Sequence, residues 1–349
     1  MNHVHRIDLP RIVLVGQGVV DSIGDVCGEL AIERPLIVTG KRTYEIAGGR
    51  AKGILAKEGF SVELTYCSAA DLTTVDRIRK EAEAMGADAI LGVGGGRTID
   101  VAKLGAFKSD AFFISVPTTA SHDGIASSSA SIKGFDKPYS VKAKSPIAVL
   151  ADSNIIEESP YRFTASGCGD IVGKAVSVQD WRMSHDVNGE YYGEYAASLA
   201  LMSSNLIMRN ALLIRERLEE GYRTLLEALV SCGVAMSIAG SSRPCSGSEH
   251  LFSHTLDVLA PGAALHGEQC GVGAIMMAKL HGLDWRELRE SLRIIGAPTT
   301  AEELGVGKST VVEALVKARE IRPDRYTVLD TANLTPETAE LLATECGVI

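Results

Sequence analysis

A rhythm of short apolar runs restricts this chain more than any single motif does. Between Ile12 and about Asp152, β-branched runs at residues 12–15, 36–39, 61–65, 89–93, 112–116 and 147–150 alternate with amphipathic segments. Strands that alternate with helices in this way predict a parallel sheet. The helical candidates between them, 47–58, 74–85 and 98–107, include several that end at a glycine, as helix C-termini often do. One stretch departs from the pattern: residues 127–132 and 139–144 alternate about 133–138, which reads as a β-hairpin inserted into the α/β region. After Asn154 the strand signals fade, and Ala, Leu, Met and Glu recur at helical spacing over 194–218, 225–239 and 309–319. The expected architecture is an α/β N-terminal Rossmann-like parallel-sheet domain, residues 1–155, followed by an all-α C-terminal domain, residues 156–349. No repeat, low-complexity tract or flexible linker separates them, so a ligand-binding cleft between two packed domains is expected.

The 349 residues suffice for about two domains with real cores. With 35 Lys and Arg against 44 Asp and Glu, the formal charge of -9 offers no general cationic field, which argues against nucleic acid and anionic lipid as partners. A small anion is still allowed, because a few backbone amides and local cations can hold a phosphate inside an acidic protein. The first residues lack the apolar core of a signal peptide, and a cytoplasmic protein is expected. The most apolar long stretch, 196–214, is interrupted by Ser203, Ser204, Asn205, Arg209 and Asn210, so it reads as a buried helix with no membrane insertion. Seven cysteines without a CxxC pair predict reduced core residues and neither a disulfide framework nor a thiolate zinc knuckle.

Residues 89–100 read AILGVGGGRTID: an apolar strand, then Gly92, Gly94, Gly95 and Gly96, then a helix opening at Arg97 or Thr98. Glycines let a backbone approach phosphate oxygens, and free amides at a helix start attract them, so the segment suits a diphosphate. A glycine-rich turn without a ligand has the same composition. The spacing is not the common dinucleotide fingerprint, and the loop follows an inner strand. At the end of the run 36–39, where many NAD-specific sites carry an acid for the ribose hydroxyls, this chain has Gly40, Lys41 and Arg42. That substitution predicts that NADPH is accepted at least as well as NADH; a solvated basic turn is the alternative.

Residues 247–254 read GSEHLFSH. A helix capped by Ser246 or Ser248 places His250 and His254 on one face, and His266 follows in PGAALHGEQCG. Two such histidines with a third after a turn can supply neutral imidazoles to a divalent cation, and Asp170, in SGCGDIVGK, adds a carboxylate at an apparent helix start among small residues that leave room for a ligand. Fewer than four protein ligands leave positions open for water or substrate, and this donor set suits zinc, iron or manganese. His3, His5, His122, His185 and His281 have no comparable companions in the sequence.

Together GGGRTID at 94–100, VPTTASHDGIASSSASI at 116–132, and SEHLFSH with ALHGEQCG resemble the metal-dependent superfamily of glycerol dehydrogenase, iron-containing alcohol dehydrogenases and dehydroquinate synthase. The resemblance covers nearly the whole chain, and within the group TASHDGIAS is most similar to the sn-glycerol-1-phosphate dehydrogenase family. It implies the dehydroquinate synthase-like fold and NAD(P)H-dependent, reversible reduction of dihydroxyacetone phosphate to sn-glycerol 1-phosphate, for archaeal-type phospholipids. It also implies one Zn2+ per subunit on Asp170, His250 and His266 as the catalytic set, and a homo-oligomer. The nicotinamide dinucleotide is implied to lie on Gly94, Gly95, Gly96, Arg97, Thr98, Ile99, Asp100, Thr118, Thr119, Ala120, Ser121 and Ser127, with Asp123, Asp170 and His254 on the substrate. Lys133, Lys137, Lys142 and Lys144 on the inserted hairpin are candidates for a phosphate grip, although such lysines also discourage edge pairing. The competing readings are a dehydrogenase of unphosphorylated glycerol, a lyase using NAD transiently, and an inactive nucleotide-binding regulator.

Overall fold

A computed structural model describes residues 7–132 and 140–349 of the chain. It falls into two compact units that divide between Pro160 and Tyr161.

The first unit holds a six-stranded parallel sheet. Its strands are β1 (Ile12–Gly16), β2 (Pro35–Thr39), β3 (Glu63–Tyr66), β4 (Ala89–Gly94), β5 (Phe112–Pro117) and β8 (Ala148–Asp152). They lie in the order β1-β8-β5-β4-β2-β3. Successive residues enter opposite cores. Ile37, Leu91 and Ile114 pack in one cluster with Leu55, while Leu36, Ile90 and Phe113 pack in another with Ile78. Burial on both faces explains why these strands read as continuous apolar runs. Ile78 belongs to α1 (Leu72–Met85), which opens on Asp71 accepting from Thr74 N and closes on Gly86 in the left-handed region, φ 62°. Helix α2 (Gly96–Lys108) follows β4.

The inserted hairpin is present as β6 (Ser129–Ser131) antiparallel to β7 (Ser140–Lys142), with Ala130 opposite Val141. Its connection, with Lys133 and Lys137, lies outside the described residues. The unit runs on to Pro160 because Asp152, ending β8, caps α3 (Ser153–Glu158) through Asn154 N and also accepts from Gly18 N and Val20 N. The expected helix over 47–58 starts instead as a wide, π-type turn at Tyr44–Gly48 and becomes α-helical at Gly49–Lys57.

Among the described residues the second unit is helical. Its principal helices are α4 (Tyr161–Val172), α5 (Lys174–Asn188), α6 (Glu194–Arg209), α7 (Glu219–Ala239), α8 (Ser248–Leu259), α9 (His266–Leu280), α10 (Trp285–Ile295) and α11 (Lys308–Ile321). The single helix expected over 194–218 breaks at Asn210, whose Nδ2 turns back to donate to Leu206 O at 2.8 Å. Asparagine competes for helix backbone groups in this way. Helix α7 is long and apolar enough to cross a membrane by composition, but most of its apolar stretch is buried, with Leu225, Leu229 and Cys232 fully covered. Six of the seven cysteines are buried and all are free, as the composition predicts.

Candidate functional site

In the first unit the glycine segment sits at the carboxyl end of β4, between β5 and β2, where open α/β sheets place their ligands. Gly95 is the N-cap of α2, and the helix starts at Gly96, one residue earlier than expected. The glycines are required by close approach. A Cβ on Gly94 would stand 2.7 Å from Thr98 Cβ, and one on Gly96 would stand 2.3 Å from His122 Nε2. Thr118 N donates to Gly94 O at 3.0 Å, so the segment Thr118–Ser121 lies beside the loop. Gly94, Gly95, Gly96, Arg97, Thr98, Thr118, Thr119 and Ala120 are thus gathered at two adjacent strand ends. Ile99 and Asp100 point elsewhere: Ile99 is in the core, and Asp100 is buried with Oδ2 accepting from Ser131 N.

A residue that sequence patterning missed organises this end of the unit. Lys103 is fully buried and donates from Nζ to Gly124 O at 2.6 Å and Ser129 O at 2.7 Å, with Asp100 Oδ1 at 3.3 Å and Ser127 Oγ at 3.5 Å. Burial lowers its pKa against the pull of Asp100. It ties the turn that carries Asp123 and Ser127 to α2. His122 also has a partner here, its Nδ1 accepting from Gly124 N at 2.9 Å.

In the second unit, helices α4 and α9 touch backbone to backbone. A Cβ on Gly267 would stand 1.9 Å from Ser166 O, and one on Gly169 would stand 2.3 Å from Gly267 O. Gly169 and Gly267 therefore serve helix contact, a role the sequence reading did not give to the small residues around Asp170. Asp170 itself lies in the last turn of α4 and not at a helix start, because α4 already begins at Tyr161. The contact brings Asp170 to His266, the first residue of α9.

Helix α8 completes the group. Its N-cap is Gly247, and neither Ser246 nor Ser248 caps it. The capping oxygen comes from another helix: Asp180 Oδ2, on α5, accepts from both Ser248 N and Ser248 Oγ at 2.6 Å. The other oxygen of Asp180 accepts from His281 Nε2 at 2.9 Å and Val328 N at 2.7 Å, so His281 is a structural partner with a clear role. His185 pairs with Glu190 O at 2.7 Å.

Donor atoms of Asp170, His250, His266 and Cys270 all lie within 4.8 Å of one another. Cys270 was not among the expected ligands, although its spacing of four from His266 on α9 was readable. Ring centroids of His250 and His266 are 4.9 Å apart, and His254 stacks on His266 at 5.9 Å. Ser253 Oγ donates to Gln269 Oε1 at 2.7 Å, which leaves it to accept from His266 Nδ1 at 3.2 Å. His250 Nδ1 meets Glu249 Oε1 at 2.7 Å. Both rings thereby keep Nε2 as the lone-pair atom, and His250 Nε2 faces Asp170 Oδ1 at 3.7 Å.

Neighbouring charges set the protonation of this cluster. Asp170 is fully buried, which favours its neutral form, yet the Lys174 ammonium at 2.6 Å and the nearby His250 and His266 hold it below the usual carboxylate range. Burial, then His266 and His250, then Arg322 and Arg325, push His254 well below the usual imidazole value, so it is neutral near pH 7. Glu249 is pushed up to about 8 by burial and the Asp180 charge. Ligand distances of about 2.0–2.3 Å to one ion would hold donor pairs within roughly 4.5 Å of each other. The donor atoms lie within 4.8 Å of one another, so the set is compact enough to converge on a divalent cation, and its chemistry fits one.

The implied substrate contacts are split: Asp123 belongs to the first unit, Asp170 and His254 to the second. Of the hairpin lysines within the described residues, Lys142 is exposed, and Lys144 lies 3.8 Å from Asp110 and over the Phe112 ring.

Residues 14–160 match the iron-containing alcohol dehydrogenase family. Over 349 residues the chain is 52% identical to the glycerol-1-phosphate dehydrogenase [NAD(P)+] of Methanosarcina acetivorans, covering 100% of this chain and 98% of that protein. It is 51% identical over 347 residues to the glycerol-1-phosphate dehydrogenase [NAD(P)+] of Thermococcus sibiricus, with 99% of each covered. The crystal structure of glycerol dehydrogenase from Schizosaccharomyces pombe superposes with a TM-score of 0.82 at 20% identity, over 99% of this chain and 91% of that one, and so shares its fold.

Proposed function

The chain belongs to the glycerol-1-phosphate dehydrogenase family, and from that premise we propose that it reduces dihydroxyacetone phosphate to sn-glycerol 1-phosphate, reversibly, with NADPH or NADH. The product is the glycerophosphate backbone of archaeal-type membrane phospholipids. The observation that carries the reading is the convergence of Asp170, His250 and His266 from three helices, with donor atoms within 4.8 Å, in a chain half identical to the family along its full length.

In this reading Asp170, His250 and His266 hold one divalent cation, zinc being the proposed ion of a set that also suits iron and manganese. Bound there, the cation supplies Lewis-acid polarisation of a carbonyl oxygen, and a bound nicotinamide dinucleotide supplies the hydride. The chain's own contribution is position and proton control. Glu249 and Ser253 fix the two ring tautomers, and the second shell is worth about 10- to 100-fold in metal affinity. Neutral His254, which stacks on His266, is assigned here to accept or relay a proton at its ring nitrogen, and the family resemblance assigns Asp123 to a substrate hydroxyl. The loop Gly94–Thr98 with Thr118–Ser121 and Ser127 holds the dinucleotide, its diphosphate on the amides opening α2. A cytoplasmic homo-oligomer belongs to the same proposal.

The likeness to glycerol dehydrogenase lies at 20% identity and supports the fold alone. Turnover of dihydroxyacetone phosphate and of dihydroxyacetone with NADPH separates the two substrates. Preference for the phosphorylated ketone is the expected result, and preference for dihydroxyacetone would overturn the assignment.

A further inference from the structure

A second group of charges lies against the segment that leads into α8, with Arg322 and Arg325 at and beyond the end of α11. Arg325 is 8% exposed, and its two terminal nitrogens donate to Ser246 O and, at 2.9 Å, to Ser242 Oγ. Both acceptors are neutral. Among the described residues no carboxylate comes within 4.0 Å of it, so this buried guanidinium has no direct ion-pair partner, and Glu249 and Glu190 act on it only from farther away. The contrast with its neighbour is direct. Arg243, on the same turn, is equally buried but is neutralised by Glu190, with Nε at 2.7 Å from one oxygen and Nη2 against the other. Arg322, at the end of α11, adds a third guanidinium, whose acid Asp324 stands 3.8 Å away and largely in solvent.

An isolated charge is costly to bury, and such groups are paired or wait for a partner. Helix α11 packs along α8, which carries His250 and His254, so these cations stand at the histidine end of the unit. Their charges reach His254, where they help to keep the imidazole neutral after burial and the other two histidines.

We infer that Arg325 and Arg322 form an anion subsite that grips the phosphate of a three-carbon ketose phosphate whose carbonyl end lies at Asp170, His250 and His266. The inference rests on the proposed reduction of dihydroxyacetone phosphate. It replaces the hairpin lysines as the phosphate grip. Guanidinium groups match phosphate oxygens in pairs, and Arg325 retains further N–H donors beyond the two it uses for the turn. The subsite sets specificity: a substrate without a phosphate leaves Arg325 buried and without a direct ion-pair partner.

The test uses the metal-loaded enzyme and the variants Arg322→Gln, Arg325→Gln and Arg325→Lys. For each, kcat/KM is measured with dihydroxyacetone phosphate and with dihydroxyacetone, and inorganic phosphate is titrated calorimetrically. A charge-assisted hydrogen bond is worth about 1.5–3 kcal/mol. Each Gln variant is therefore expected to lower the ratio of the two efficiencies by about 10- to 100-fold and to weaken inorganic phosphate by a similar factor, with Arg325→Lys restoring part of both. Equal losses on both substrates with unchanged phosphate binding would show a merely structural role and overturn the inference, as would a loss of the ratio in Lys142→Gln or Lys144→Gln instead. Arg322→Gln, with a partly exposed side chain, carries the test if the buried variants do not fold. If the wild type proves inactive on the phosphorylated ketone, the proposed reaction fails, while phosphate binding still reads the arginines separately.

Discussion

His250 Nδ1 stands 2.7 Å from Oε1 of its sequence neighbour Glu249, and that same oxygen accepts from Gly247 N at 3.0 Å. The other oxygen, Oε2, has no hydrogen-bond partner among the described residues. With Oε1 as the acceptor of both contacts, the His250 tautomer carries its lone pair on Nε2. Glu249→Leu should therefore weaken metal binding about 10- to 100-fold, while Glu249→Gln, which keeps an acceptor, should weaken it less. Chelator competition measures both; equal affinities in wild type and Glu249→Leu would show that the contact does not orient the ring.

The Asp170–Lys174 pair gives a pH dependence of definite sign. The folded carboxyl titrates below its ordinary 3.8, held down by Lys174, His250 and His266 against its burial. Its contribution to stability is fully present above the unfolded value and is lost as pH falls through the folded one. Metal-free wild type should lose more stability between about pH 5 and pH 3 than Asp170→Asn, in denaturant titrations at each pH. Parallel pH curves for the two would contradict the assignment.

Helix contact at Gly267 is the packing on which the metal cluster depends. A methyl there would meet the Ser166 carbonyl at 1.9 Å, which is backbone and cannot swing away. Overpacking costs about 1–3 kcal/mol and sometimes more. Gly267→Ala should lower thermal stability and reduce bound metal together, because α4 and α9 must separate and carry Asp170 from His266.

Lys41 and Arg42 are exposed and directly follow β2, whose partner β4 ends in the glycine loop. Gly40 and Thr43 fix the turn, with Gly40 N donating to Thr43 Oγ1 at 2.8 Å. The Lys41→Ala, Arg42→Ala double variant should lower the ratio of NADPH to NADH efficiency by about 10-fold or more, at roughly 1 kcal/mol or above per lost charged contact. An unchanged ratio would remove these residues from coenzyme choice.

Much of this was readable from residue order. The parallel sheet was legible because its inner strands are apolar on both sides, and the histidine group because the i, i+4 spacing of His250 and His254 survives in any helix. What escaped were long-range partners. Lys103, Glu249 and Asp180 act across separations or orientations that no periodicity encodes, and Arg325 acquires its meaning only from the lack of a nearby acid. The glycines about Asp170 were legible as small residues but not as a helix contact, since the partner glycine lies on α9. The caps of α8 and the break at Asn210 were missed for a related reason: side chains competed locally for backbone groups, and a distant carboxylate supplied the cap.

The central claim is that Asp170, His250 and His266 hold the cation on which reduction of the ketone depends. It is tested most directly by measuring metal content and dihydroxyacetone phosphate-dependent NADPH oxidation in the same preparation of His266→Ala, with circular dichroism to confirm the fold. The expected result is a folded protein that has lost metal and activity together; full activity in a metal-free, folded variant would contradict the account.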